Sequence, residues 1–175
     1  MQMLTNPFVW LMRIRHRCGY GVHSPFAFRF ITEVIYENNA FYAYQDCDKL
    51  LSLSQRFRIR RLFHLLFRCV NYVQPRKMIV KDGNELLERY LKNGCHKAVV
   101  LHEADGTQVD FCYLLSPEER IMESLSQNSM LVVDNLRENL SWFKSLPYVL
   151  AFDLYDVGIA FFDPKYNKQY YIVNF

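Results

Sequence analysis

Apolar positions recur with two different spacings along this 175-residue chain, and the spacing changes near residue 75. Before that point Phe26, Phe30 and Val34 repeat every fourth residue, as do Leu62, Leu66 and Val70, which predicts amphipathic helices. Ser24 stands where it can cap the first of these, and Pro25 suits the opening turn because its missing N–H needs no partner there. A shorter helix is predicted over roughly 6–16, joined to it by a link broken at Gly19 and Gly21. Residues 47–73 read as one or two helices ended by Gln74-Pro75, with Arg56, Arg60, Arg61 and Arg68 largely off the apolar stripe.

Beyond residue 75, short apolar runs alternate with amphipathic ones. The pattern predicts strands at 78–80, 98–101, 109–115 and 130–133. Helices are predicted at 84–92, stopped by Gly94, at 117–125, opened by Ser116-Pro117, and at 137–145. Residues 148–162 and 169–175 are rich in β-formers, and 163–168 reads as a hairpin-like link between them. Strand and helix alternation implies a mostly parallel sheet with helices on its faces, and the β-rich end implies an antiparallel C-terminal strand, placed at 170–175. The organisation expected is one structural domain, in which a helical extension (1–75) packs on an α/β core (76–175).

The totals narrow the class. A hydrophobic fraction of 51%, with 14 Phe, 12 Tyr and 2 Trp, suits a well-packed globule of this length. No run approaches the roughly 18 apolar residues of a spanning helix. The N-terminal charges follow the apolar stretch, the reverse of a secretory signal, so a cytoplasmic location is expected. Five cysteines at scattered spacings, without C-x-x-C, indicate free and mostly buried thiols. Cys95-His96, His102 and Cys112 match no common zinc spacing, so no metal is expected.

The net charge of +3 conceals an asymmetry. Residues 1–80 hold 12 Lys and Arg against 4 Asp and Glu, and residues 81–175 hold 9 against 14. The basic half could face nucleic acid, but the same arginines suit solvated helix faces or pairing with the acidic half, and that reading is preferred.

Signatures of common chemistries are missing. The six glycines form no G-x-G-x-x-G after a strand and no phosphate-cradling G-x-x-x-x-G-K-[ST]; Gly19 and Gly21 alone have G-x-G spacing, and they follow an arginine-rich segment. There is no G-x-S-x-G elbow for a serine nucleophile.

Other motifs carry a resemblance. Arg17 with Gly21-Val22-His23-Ser24-Pro25-Phe26, then Tyr42 and Tyr44, the segment 65–75 (LLFRCVNYVQP), the segment 128–135 (NSMLVVDN) and the closing FDLYDVGIAFF and YYIVNF together resemble small class I S-adenosylmethionine-dependent methyltransferases. The relatives meant are those with an N-terminal helical extension carrying an RHGVHSPF-like motif.

The resemblance implies a shortened Rossmann-like α/β fold, with fewer than the seven strands such enzymes typically have. It implies S-adenosylmethionine as cofactor if the chain is active. The chain departs from the family where it matters. E-L-G-x-x-x-G-x-[ST] is expected after Gln-Pro, and Val80-Lys81-Asp82-Gly83-Asn84-Glu85 stands there; Tyr113-Leu114-Leu115-Ser116-Pro117 replaces I-D-G-x-H.

On these grounds Asp82, Gly83 and Glu103 are the candidate, vestigial cofactor residues, with an ordinary tight turn the alternative for Asp82-Gly83. His23, Ser24, Asp134 and Asn135 are candidates for a substrate pocket, with helix capping the competing explanation for Ser24 and for Asp134-Asn135, and a hydrogen-bonded structural role that for His23. No catalytic residue is identified. The expected function is a degenerate, non-catalytic methyltransferase-like protein serving as an interaction or structural module, without cofactor, and as a homodimer or in complex with a protein partner through residues 6–16. The alternatives are an active methyltransferase with an atypical pocket and a nucleic-acid-associated protein.

Overall fold

Ser24 acts as its place before Pro25 predicts, its hydroxyl accepting the Ala27 N–H at 3.3 Å to open helix α1 (Pro25–Phe30). The structure, a computed structural model, describes residues 11–16, 19–51 and 58–175. Expectations for residues 1–10, for Arg17 and for Arg56 lie outside these. Of the predicted 6–16 helix the described part ends in a 3-10 turn at Ile14–His16.

From α1 the chain continues as a π-helical turn, Ile31–Ile35. Helix α2 (Tyr42–Asp48) and helix α3 (Arg58–Val73) follow. Gln74, left-handed at φ 49°, ends α3 before Pro75. Strand β1 (Lys77–Val80) leads into helix α4 (Glu85–Gly94), which Asn84 caps by accepting the Leu87 N–H at 2.8 Å. Then come β2 (Val99–Leu101), β3 (Val109–Leu114), a single helical turn α5 (Ile121–Ser124), β4 (Leu125–Val133) and helix α6 (Leu136–Ser145). Strands β5 (Leu150–Asp153), β6 (Gly158–Phe161) and β7 (Gln169–Ile172) close the chain.

The strands form one sheet in the order β2-β1-β3-β4-β6-β5-β7. Every pairing is parallel except those of β6, which runs against both β4 and β5. Alternation of side chains divides the core into two layers. Met78, Val80, Phe111, Met130, Val132, Phe152 and Phe161 face helices α1 to α4. Ile79, Cys112, Leu114, Leu131, Val133, Ala151 and Ala160 face α5 and α6, where Leu136 and Phe143 cover them. Burial on both faces explains why these strands read as continuous apolar runs.

The sheet is mostly parallel with an antiparallel strand in its C-terminal part, as expected, but four details differ. The strands number seven, not fewer. One helix and one strand intervene between β1 and β3, and β7 adds a strand at the opposite edge. The antiparallel strand is β6: β5 and β6 make a hairpin across Leu154–Val157, bridged by the Leu154 N–H donating to Val157 O at 2.9 Å. Residues 163–168 instead carry the chain across to β7, which lies parallel to β5. The helix predicted at 117–125 shrinks to α5 because β4 begins at Leu125, five residues early. Gly94 is the last residue of α4 rather than a stop beyond it. A Cβ there would lie 2.8 Å from the Phe67 carbonyl oxygen, so its glycine serves close packing of α4 on α3.

Candidate functional site

The carboxyl ends of parallel strands are where open α/β sheets receive ligands. At the ends of β1 and β2 a cleft of about 480 Å³ is walled by Lys81, Asp82 and Gly83 from one strand and His102, Glu103 and Ala104 from the next, with Glu118 and Arg120 above. Asp82-Gly83 and Glu103, which follow two different strands, thus share one cleft.

Its chemistry follows from local geometry. Asp82 takes the left-handed turn at φ 59°, while Gly83 does not need positive φ. Gly83 is needed for space: a Cβ there would stand 2.5 Å from Val80 Cγ1. Lys81 pairs with Glu118 across the cleft. His102 Nδ1 lies 3.4 Å from Val80 O and 3.6 Å from Glu88 Oε1. Ser116 Oγ approaches Asp82 Oδ2 at 3.5 Å. Glu103 is exposed.

The four substrate-pocket candidates fall in two places. Asp134 is buried at the end of β4, where its carboxylate accepts the Tyr113 hydroxyl at 3.2 Å and the Asn135 N–H at 2.7 Å. Asn135 occupies the cap position of α6 at φ 50°, without a side-chain capping bond. Ser24 belongs to the opening of α1 and lies against Tyr171 of β7, and His23 beside it is exposed. From β4 to β7 is three strand spacings, about 14 Å, so the fold does not gather these four residues around one pocket.

Sequence reasoning missed three polar centres. Asp48 at the end of α2 receives Arg60 at 3.0 Å, His64 at 2.9 Å and the Tyr90 hydroxyl. Tyr44 stacks on His64 with ring centroids 3.6 Å apart. Burial lowers the His64 pKa, outweighing the opposing pull of Asp48. Arg68, expected to lie off the apolar stripe, is buried and donates to Val34 O at 2.6 Å and Ile35 O at 3.1 Å, satisfying the end of the π-turn. Asp153 at the end of β5 accepts Arg13 at 3.0 Å, Arg137 at 2.6 Å, the Tyr170 hydroxyl at 2.8 Å and the Tyr155 N–H at 2.7 Å. The signal for the second was in the sequence: Arg61, His64 and Arg68 repeat at i, i+3 and i+7, a helical stripe of their own. For Asp153 and Arg13, 140 residues apart, there was none.

The four described cysteines, Cys47, Cys69, Cys95 and Cys112, are free and buried. Among the described residues no helix is long and apolar enough to cross a membrane.

Neither a family model nor a curated protein sequence matches the chain. Among solved structures it is similar to the crystal structure of SAH-bound Podospora anserina methyltransferase PaMTH1, with a TM-score of 0.50 and 8% sequence identity, over 79% of this chain and 96% of that one. At that identity the likeness concerns architecture: the chain has a class I methyltransferase-like fold.

Proposed function

We propose that this chain is a non-catalytic methyltransferase-like protein that acts as an interaction or structural module and does not bind S-adenosylmethionine. The observation that carries this reading is the composition of the cleft at the ends of β1 and β2. A nucleoside cofactor calls for apolar walls around its base and for backbone that a ligand can approach. Only Val80 and Ala104 among the lining residues are apolar. The space freed by Gly83 is taken up by Val80, at the end of β1. The Lys81 and Glu118 pair crosses the cleft and occupies part of it with charged side chains. These residues do not fit the cofactor. Support for an interaction role comes from exposed apolar side chains near the N-terminus, with Leu11 60%, Met12 84% and Ile14 42% exposed.

A second reading, an active methyltransferase with an atypical pocket, is favoured by one observation: Asp82, Gly83 and Glu103 converge at the ligand-facing edge of the sheet. Calorimetric titration with S-adenosylmethionine and with S-adenosylhomocysteine separates the two. The proposal expects no heat of binding at about a millimolar ligand, where a site worth only ~4 kcal/mol would be half filled. Saturable binding that Asp82→Ala and Glu103→Ala weaken would establish the second reading instead.

The nucleic-acid alternative loses support from how the arginines are used, since Arg13 serves Asp153, Arg60 serves Asp48 and Arg68 serves backbone carbonyls.

A further inference from the structure

On the face of α3 turned toward the π-turn lies a second cavity, of about 250 Å³, independent of the cleft described above. Arg60, Arg61, His64 and Arg68 wall one side, and Glu37 and Phe175 stand on the other. Two of its guanidiniums, those of Arg61 and Arg68, touch no carboxylate among the described residues, although the Glu37 carboxylate shares the lining. Arg60 is neutralised by Asp48 at 3.0 Å, and Asp48 spends its other oxygen on His64 and Tyr90. Glu37 accepts the Asn39 N–H at 2.8 Å and forms no ion pair with an arginine among the described residues. Arg68 is buried and bonded to two carbonyls and to the Tyr44 side chain, none of which carries a charge. Arg61 lies 4.4 Å over the Phe175 ring and has no carboxylate partner among the described residues. Burial lowers its pKa, with Arg68 pushing the same way and Tyr36 opposing.

Two guanidiniums partly removed from water, with no counter-charge bonded to either, are costly unless an anion completes the site. Arg61 and Arg68 are seven residues apart, two helical turns or about 10 Å of rise, a distance that two long side chains can close around one group. Planar guanidinium forks match tetrahedral oxyanions, and a dianion would neutralise both.

We infer that this cavity is a binding site for the phosphate group of a small phosphomonoester, held by Arg61 and Arg68. The volume, about 250 Å³, accommodates the phosphate and a short carbon skeleton. His64 is held in the wall by the contact of its Nε2 with Asp48 at 2.9 Å.

The test is a titration of the full chain with inorganic phosphate, with β-glycerophosphate and with acetate, at constant ionic strength in potassium chloride, read from the arginine Nε–H resonances. Saturable, one-site shifts of the Arg61 and Arg68 signals by both phosphates are expected, with acetate weaker by about tenfold or more. Arg61→Gln should weaken phosphate binding by about tenfold or more, because one of the two guanidinium charges is lost. Arg76→Gln, at an exposed position away from the cavity, should leave it unchanged. Arg68 is not the variant of choice, since it also caps the π-turn. Absence of saturable shifts, equal binding of acetate, or equal weakening by Arg61→Gln and Arg76→Gln would each overturn the site.

Discussion

Asp153 shows how much one side chain can hold in place. Its carboxylate takes four donors, from Arg13, Arg137, Tyr155 and Tyr170, and so ties the N-terminal segment and α6 to the end of β5. Burial acts to raise its pKa, but the bonds and charge of Arg13, joined by Arg137 and Tyr170, outweigh it and leave the value below the ordinary carboxylate range. The sign of the linkage follows. A carboxyl held lower in the folded chain stabilises it above the unfolded value of about 4, and that contribution is lost as the pH falls through the lowered folded value. Asp153→Asn should therefore cost about 3 kcal/mol or more at pH 7, because it leaves two guanidiniums without their partner. Urea denaturation at pH 7 and pH 3 checks this: the gap between wild type and variant should narrow at the lower pH, and a gap that stays constant would remove the charge from the explanation.

At the scale of elements, legibility tracked how local the cause is. Ser24, Pro25, Asn84 and Gln74 act within a turn of their own position, and the helix boundaries they mark were readable. The apolar runs of β1, β3 and β4 were readable because both faces are covered. What escaped was set by distant partners. The direction of β7 depends on pairing with β5, and nothing in 169–175 distinguishes a parallel neighbour from an antiparallel one. Five further residues of β4 were hidden by the polar Ser126-Gln127-Asn128-Ser129, where a register shift interrupts the pairing with β3. The packing role of Gly94 is not visible locally, because its partner, the Phe67 carbonyl, lies on another helix.

That glycine yields a test. Gly94→Ala gains about 1 kcal/mol of helix propensity, yet its methyl would stand 2.8 Å from Phe67 O and 3.2 Å from Val70 Cβ. Overpacking of this kind costs about 1–3 kcal/mol, so the net effect should be a lower midpoint in thermal denaturation. A raised midpoint would mean that α3 and α4 can part freely.

For the whole molecule, the fold and the site separate. The sheet, its two covered faces and its antiparallel β6 make a class I methyltransferase-like framework. Of the candidate residues, Asp82, Gly83 and Glu103 meet, while His23 and Ser24 stand apart from Asp134 and Asn135. That separation was not legible, because strand order, not spacing, decides it. Exposed Leu11 and Met12 lead to a prediction about assembly: light scattering at tens of micromolar should report a dimer or larger species that Leu11→Ser with Met12→Ser reverts to the 21.0 kDa chain. A monomer indifferent to both changes would exclude self-association through this segment.

The central claim, that the framework persists without its cofactor site, is tested most directly by following the backbone amides of Lys81, Asp82, Gly83, His102, Glu103 and Ala104 by nuclear magnetic resonance while S-adenosylhomocysteine is added. The account predicts that these six resonances stay where they are up to about a millimolar ligand. Saturable displacement of this set, with the rest of the spectrum unmoved, would contradict it.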